Sequence, residues 1–196
     1  EQRKYDFGGT LGRLGVPHVL CRDENHWYHQ GITGIGDHAA SCSYIRSLRP
    51  RYPKLITLGT SYGSHGALLF GQLVPVDVII AISPIADVGL WSAQWPQESR
   101  GLTYSLESLF SDGPIPLVHA FVGTEPDTIL DRPSCEMLHL PPPGIVEGAT
   151  HGGVGLRLRD AGILDRLILA YQHTDFSPER INCAHIFKYN NDFSLC

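Results

Sequence analysis

Residues 55–73 constrain the fold of this chain more than any other stretch. Leu55-Ile56-Thr57-Leu58 is short, apolar and rich in strand formers, and Ala67, Leu68, Leu69 and Leu73 fall along one helical stripe. Between them stands Gly59-Thr60-Ser61-Tyr62-Gly63. A strand that gives way to a helix over so few residues must turn sharply. A Gly-x-Ser-x-Gly turn in that setting holds its serine out above the sheet as a nucleophile elbow. Small residues are expected on both sides of Ser61, because the turn strains the backbone and brings strand and helix together. A Gly-rich strand-to-helix loop can also cradle phosphate, but the Walker type needs a Lys after its last glycine, and Ser64 and His65 follow Gly63.

A serine hydroxyl is a poor nucleophile until a neighbouring base takes its proton, and the base must itself be oriented by a third group. In one arrangement built on such an elbow the chain order is serine, acid, histidine, each on a loop after a later strand. His151, in Gly148-Ala149-Thr150-His151-Gly152-Gly153, occupies the histidine place, with glycines that let its loop come close. The other histidines compete less well: His65 falls in the first turn of the elbow helix, His119 inside a strand candidate, His139 beside a proline run, and His173 and His185 in the tail. For the acid, Asp127 and Asp131 both follow the strand candidate that ends at Gly123, with Glu125 third. Asp127 ranks ahead because Asp131, just before Arg132-Pro133, has a sufficient structural reason to exist as a helix cap. A developing oxyanion needs two N–H donors. The backbone of Tyr62 is one candidate, and Gly8-Gly9, in Phe7-Gly8-Gly9-Thr10, is the other.

The remaining pattern alternates strands and helices. Strands are expected at residues 3–7 and 18–22, and a helix at 37–48 with Asp37 as its cap. Residues 76–82 form a continuous apolar run, which suits a parallel strand covered on both faces. Residues 85–113 carry Trp91 and Trp95 without clear periodicity and read as a lid or pocket wall. A strand at 116–123, a short helix at 133–138 and a weak last strand at 144–147 follow. Residues 154–171 read as a closing helix broken at Gly162, and residues 174–196 as an irregular tail. The expectation is one domain over residues 1–196, a three-layer α/β fold around a mostly parallel sheet.

Composition narrows the partners. The net charge of −5 gives no electrostatic argument for nucleic acid or an anionic membrane. The longest apolar runs are far too short to span a bilayer. The five cysteines, Cys21, Cys42, Cys135, Cys183 and Cys196, form no Cys-x-x-Cys pair, which favours reduced thiols and a cytoplasmic setting. Neither Cys135 nor Cys183 sits in a special turn, so both read as buried thiols rather than nucleophiles. His26 and His29 are one turn apart without a clear carboxylate partner, a weak metal pair, and no metal or organic cofactor is expected. Trp27 and Tyr28 are candidates for stacking on a sugar or an acyl chain.

Ser61, the following acids, His151 and the order of elements resemble an α/β-hydrolase over about residues 4–171. The resemblance implies a Ser-His-Asp triad working by acyl transfer on an ester-linked acyl group, as esterase, deacetylase or acyltransferase. More narrowly, the elbow with Ala67-Leu68-Leu69-Phe70-Gly71, Ala81-Ile82-Ser83-Pro84, and Arg22-Asp23 with Trp27-Tyr28-His29 is similar to bacterial hydrolase-like proteins of surface-glycan synthesis and accessory Sec-system O-acetylation. That likeness implies a small-molecule or carbohydrate-linked ester as substrate. The chain departs from it in carrying Ser64 where such proteins often have a second glycine. A peptidase or thioesterase shares the same three residues, and a non-catalytic binding or assembly component in glycan processing shares the fold.

Overall fold

Four strands form one parallel sheet in the computed structural model, which describes residues 7–21, 31–74, 76–94, 105–111 and 114–172. They are β1 (Ile56–Thr60), β2 (Val78–Ile82), β3 (Leu117–Gly123) and β4 (Gly144–Val146), paired in that order. The apolar run seen in the sequence accounts for β2, whose five residues are all buried. Ile79 and Ala81 face one core with Leu68, Leu69 and Phe110. Val78, Ile80 and Ile82 face the other with Phe121, Val154, Leu158 and Leu164. A strand buried on both faces has no use for polar alternation, and each buried isoleucine contributes about 1.5–3 kcal/mol.

The helices supply both covers. α1 (Gly8–Arg13), α2 (His38–Leu48), α3 (Tyr62–Leu73), α4 (Val88–Gln94), α5 (Glu107–Ser111), α6 (Asp131–Met137), α7 (Val154–Asp160) and α8 (Ile163–Gln172) alternate with the strands. Apolar residues of α2, α3 and α5 share the first core, and those of α1, α7 and α8 the second. Asp37 caps α2 as expected, its carboxylate accepting the Ala40 N–H at 2.8 Å. Gly162, at φ +66°, separates α7 from α8. At the start of β1, the Asp77 carboxylate accepts the Leu55 N–H at 2.8 Å and pairs with Arg49, tying that end of the strand to the residue leading into β2.

Several expectations are corrected. Residues 18–21 form no strand; Val19 is 49% and Leu20 37% exposed, and among the described residues β1 pairs only with β2. Apolar residues alone do not make a strand without a ladder to join, and Pro17 offers no N–H donor. Arg22 and residues 3–6 lie outside the described residues, while Phe7 stands at the N-cap of α1. The aperiodic stretch expected after β2 contains α4 and α5, whose inward residues Val88, Trp91 and Phe110 are buried, as is Leu106 just before α5. Their helices are too short for a pattern of period 3.6 to stand out. The tail at 174–196 lies outside the described residues.

The elbow is where sequence and packing meet most closely. A Cβ on Gly59 would lie 1.9 Å from the Gly63 carbonyl oxygen, whereas one on Gly63 meets nothing within 4 Å. The two glycines are therefore not equivalent, contrary to the expectation that both sides need the smallest residue for space. Gly59→Ala should destabilise the fold by roughly 3 kcal/mol or more, since the opposing atoms are backbone. Gly63→Ala should change stability by less than about 1 kcal/mol. Urea denaturation of the two variants checks the asymmetry, and equal losses would contradict it.

Candidate active site

Ser61 lies between β1 and α3 with φ 52° and ψ −120°, a conformation that costs a non-glycine residue energy. The neighbours hold it there. Its N–H donates to Ile82 O at 3.0 Å, and its carbonyl accepts the N–H groups of Ser64 and His65. The side chain is thereby released from the backbone ladder and meets His151: Ser61 Oγ is 2.8 Å from His151 Nε2.

The other face of the imidazole decides which acid is paired. His151 Nδ1 is 2.7 Å from Asp131 Oδ1, and the Asp131 side chain is fully buried. With Nδ1–H donating to the carboxylate, Nε2 is left as the acceptor for the serine proton. Asp127 takes a different part, its Oδ2 accepting the His151 backbone N–H at 3.1 Å. The ranking of Asp127 over Asp131 is thus reversed. Asp131 makes no cap: the N-cap of α6 is Leu130, and no side chain bonds the helix end. Burial pushes the Asp131 carboxyl up, and the hydrogen bond and charge of His151 oppose that rise.

Residues from three further elements complete the surroundings. Trp91 of α4 places its ring centroid 4.4 Å from that of His151, tilted by 40°. Ser83, at the end of β2, donates its hydroxyl to His151 O at 2.6 Å. Ser64 Oγ is 2.5 Å from Ser61 O. Sequence reasoning quoted Ser83 only within the stretch that carries the narrower resemblance and gave it no role at the site, since Ser-Pro after an apolar run reads simply as the end of a strand. Trp91 had a readable signal, three residues after Val88 on the same buried face.

Tyr62 opens α3, so its N–H stands in the first turn of that helix, directly after Ser61. Gly8 and Gly9, by contrast, begin α1 instead of forming an open turn, and neither lines the cavity beside Ser61. A Cβ on Gly9 would meet nothing within 4 Å, so no close backbone approach requires a glycine there. The cavity measures about 1130 Å³ and is walled by apolar side chains that include Leu11, Ile45, Leu58 and Ile168. Ser61, Tyr62 and His151 stand on its wall. Trp27, Tyr28, His26, His29, Trp95 and Cys183 lie outside the described residues.

The competing groups are chemically quiet. Burial pushes the Cys135 thiol up to about 12, so it does not supply a thiolate at neutral pH. Burial holds His65 and His119 down to about 4. His65 Nδ1 meets Ile85 O at 2.9 Å, and His119 Nε2 meets the Tyr171 hydroxyl. No group of three or more His, Cys, Asp or Glu able to hold a metal occurs among the described residues. No helix among them is long and apolar enough to cross a membrane. Comparison with protein-family models, with characterised proteins and with solved structures finds no match.

The two buried histidines make stability depend on acid. Each is neutral in the fold down to about pH 4 but takes a proton near pH 6.5 when unfolded, so their contribution is complete above pH 6.5 and is lost as the pH falls toward 4. Between pH 6.5 and 5 the pair should cost roughly 3–4 kcal/mol, with the raised Asp131 carboxyl opposing the slope. Urea midpoints measured from pH 7 to 5 should fall, and His119→Gln should remove about half of that fall whatever it does at pH 7. A midpoint constant over this range would contradict the assignment.

Proposed function

We propose that the protein is a serine hydrolase of α/β-hydrolase type acting on an ester-linked acyl group. One observation carries the reading: Ser61 Oγ, His151 and Asp131 form a continuous hydrogen-bonded series, 2.8 and 2.7 Å long at its two links, with the serine on a strained strand-to-helix turn. Chance packing rarely leaves a serine in the left-handed region with its hydroxyl aimed at a buried His–Asp pair.

In this reading Ser61 Oγ attacks the ester carbonyl carbon while its proton passes to His151 Nε2, giving a tetrahedral oxyanion and an imidazolium. Asp131 stabilises the imidazolium through Nδ1–H, and the Trp91 ring packs beside the imidazole at 4.4 Å between centroids. The Tyr62 N–H, at the positive end of α3, is the oxyanion donor that the geometry supports. Collapse expels the alcohol, which takes the proton from His151 and leaves an acyl-Ser61 ester. Water, or an acceptor hydroxyl such as that of a sugar, then repeats the sequence in reverse. The apolar walls of the adjoining cavity suit the acyl part of the substrate.

A fluorophosphonate should label the protein stoichiometrically at Ser61, and Ser61→Ala should abolish labelling and lower ester hydrolysis by at least about 10³-fold. Well-folded protein that takes no label would sink the reading. The two aspartates separate within it. Asp131→Asn should cost about 10³- to 10⁴-fold in kcat by turning the imidazole to the wrong tautomer. Asp127→Asn keeps an oxygen acceptor for the His151 N–H and should cost less than about tenfold. Steady-state hydrolysis of p-nitrophenyl acetate measures both, and the opposite ranking would return the role to Asp127.

A further inference from the structure

We infer that Ser83 is a positioning residue that sets the distance between Ser61 and His151, with Ser64 as its link to the elbow; the inference rests on the serine-hydrolase reading. Both serines are fully buried. Ser83 N–H donates to Phe121 O at 2.8 Å, which pins it to β3. Its hydroxyl donates to His151 O at 2.6 Å, fixing the main chain of the residue that bears the base. Its own carbonyl lies 3.3 Å from Ser64 Oγ, whose hydrogen has Ser61 O as the nearer acceptor at 2.5 Å. Ser64 Oγ also accepts the Ile85 N–H at 3.2 Å, so the residue after Pro84 is tied to it directly while the Ser83 carbonyl stands as its second, longer acceptor. The nucleophile and the base are thus each bonded to the end of one central strand, since Ile82 O receives the Ser61 N–H as well.

The backbone at Ser83 argues that the hydroxyl is what matters there. Its φ is 48°, in the left-handed region where glycine is cheaper than serine. A position that needed only this turn would be served better by glycine. A serine held there, with its hydroxyl buried and directed to the main chain of His151, keeps strain next to the site that uses it. The same bridge gives Ser64 a purpose that a glycine in its place would lack.

The test uses the full chain with Ser83→Gly, Ser83→Ala and Ser64→Ala. Ser83→Gly relieves the backbone while removing the hydroxyl, so it guards against the case in which the alanine variant folds poorly. Labelling rates with a fluorophosphonate and the kcat and KM for p-nitrophenyl acetate are read beside thermal unfolding. Ser83→Gly should stay folded at the assay temperature, unfolding somewhat earlier than the parent for the lost buried hydrogen bond, yet be labelled on the order of 10- to 100-fold more slowly, with kcat reduced and KM nearly unchanged. Combining it with Ser64→Ala should add little to the rate loss, because both act through one bridge. A parent that is labelled and a folded Ser83→Gly labelled at the same rate overturn the positioning role alone. A folded parent that takes no label overturns the serine-hydrolase reading and this inference with it.

Discussion

The closest backbone approach that the site depends on is that of Gly59 to Gly63, which leaves no room for a side chain on Gly59. It lets β1 turn into α3 within one residue, and that residue is Ser61. Everything else at the site is measured from there. The serine carbonyl starts the hydrogen bonding of the helix, its N–H joins the end of β2, and its side chain alone remains to face His151. The strain at φ 52° is tolerated because strand, helix and the neighbouring strand end all fix the same few atoms.

The sheet does the complementary work by aligning its ends. Thr60 lies opposite Ile82, and Ile82 opposite Phe121, so the chain leaves β1 and β2 at a common edge. The loops after β3 and β4 begin from the paired residues Gly123 and Val146, and they carry Asp131 and His151 to that edge. Groups separated by 90 positions in the chain, Ser61 and His151, therefore meet without any long excursion. The low polarity of the surrounding core strengthens the bond between Asp131 and the imidazole while raising the cost of an unpaired charge.

Much of this was legible in the order of residues. The elbow, the doubly covered strand β2, the capped helix α2 and the break at Gly162 each follow from a local signal: a turn motif, an unbroken apolar run, an Asp cap, a glycine between apolar repeats. His151 was readable from its glycine neighbours and its place after the last strand. The choice between Asp127 and Asp131 was not, because four residues of loop decide which carboxylate reaches the ring and which reaches the backbone. Capping, a good reason for an Asp before Arg-Pro, competed with a tertiary contact that no local pattern encodes. Ser83 was hidden for the same reason: its partner, His151, lies 68 positions on. The strand expected at residues 18–22 failed in the other direction, since strand formers without a ladder partner carry no obligation to pair. Trp27 and Tyr28 fall outside the described residues.

The shortness of β4 has a bearing on how this molecule opens. Only three residues hold that strand to β3, and among the described residues nothing pairs with its far side. A margin strand of that length frays at smaller cost than the two interior strands. The histidine loop that follows it, however, is fastened elsewhere too, by the Ser83 hydroxyl on His151 O and by the Thr124 and Glu125 N–H groups on Ala149 O. Loosening of that strand and displacement of His151 from Ser61 are therefore separate events, the second needing the loss of bonds that the first leaves in place. The margin of the sheet can open to solvent exchange while the residues gathered at the strand ends keep their places.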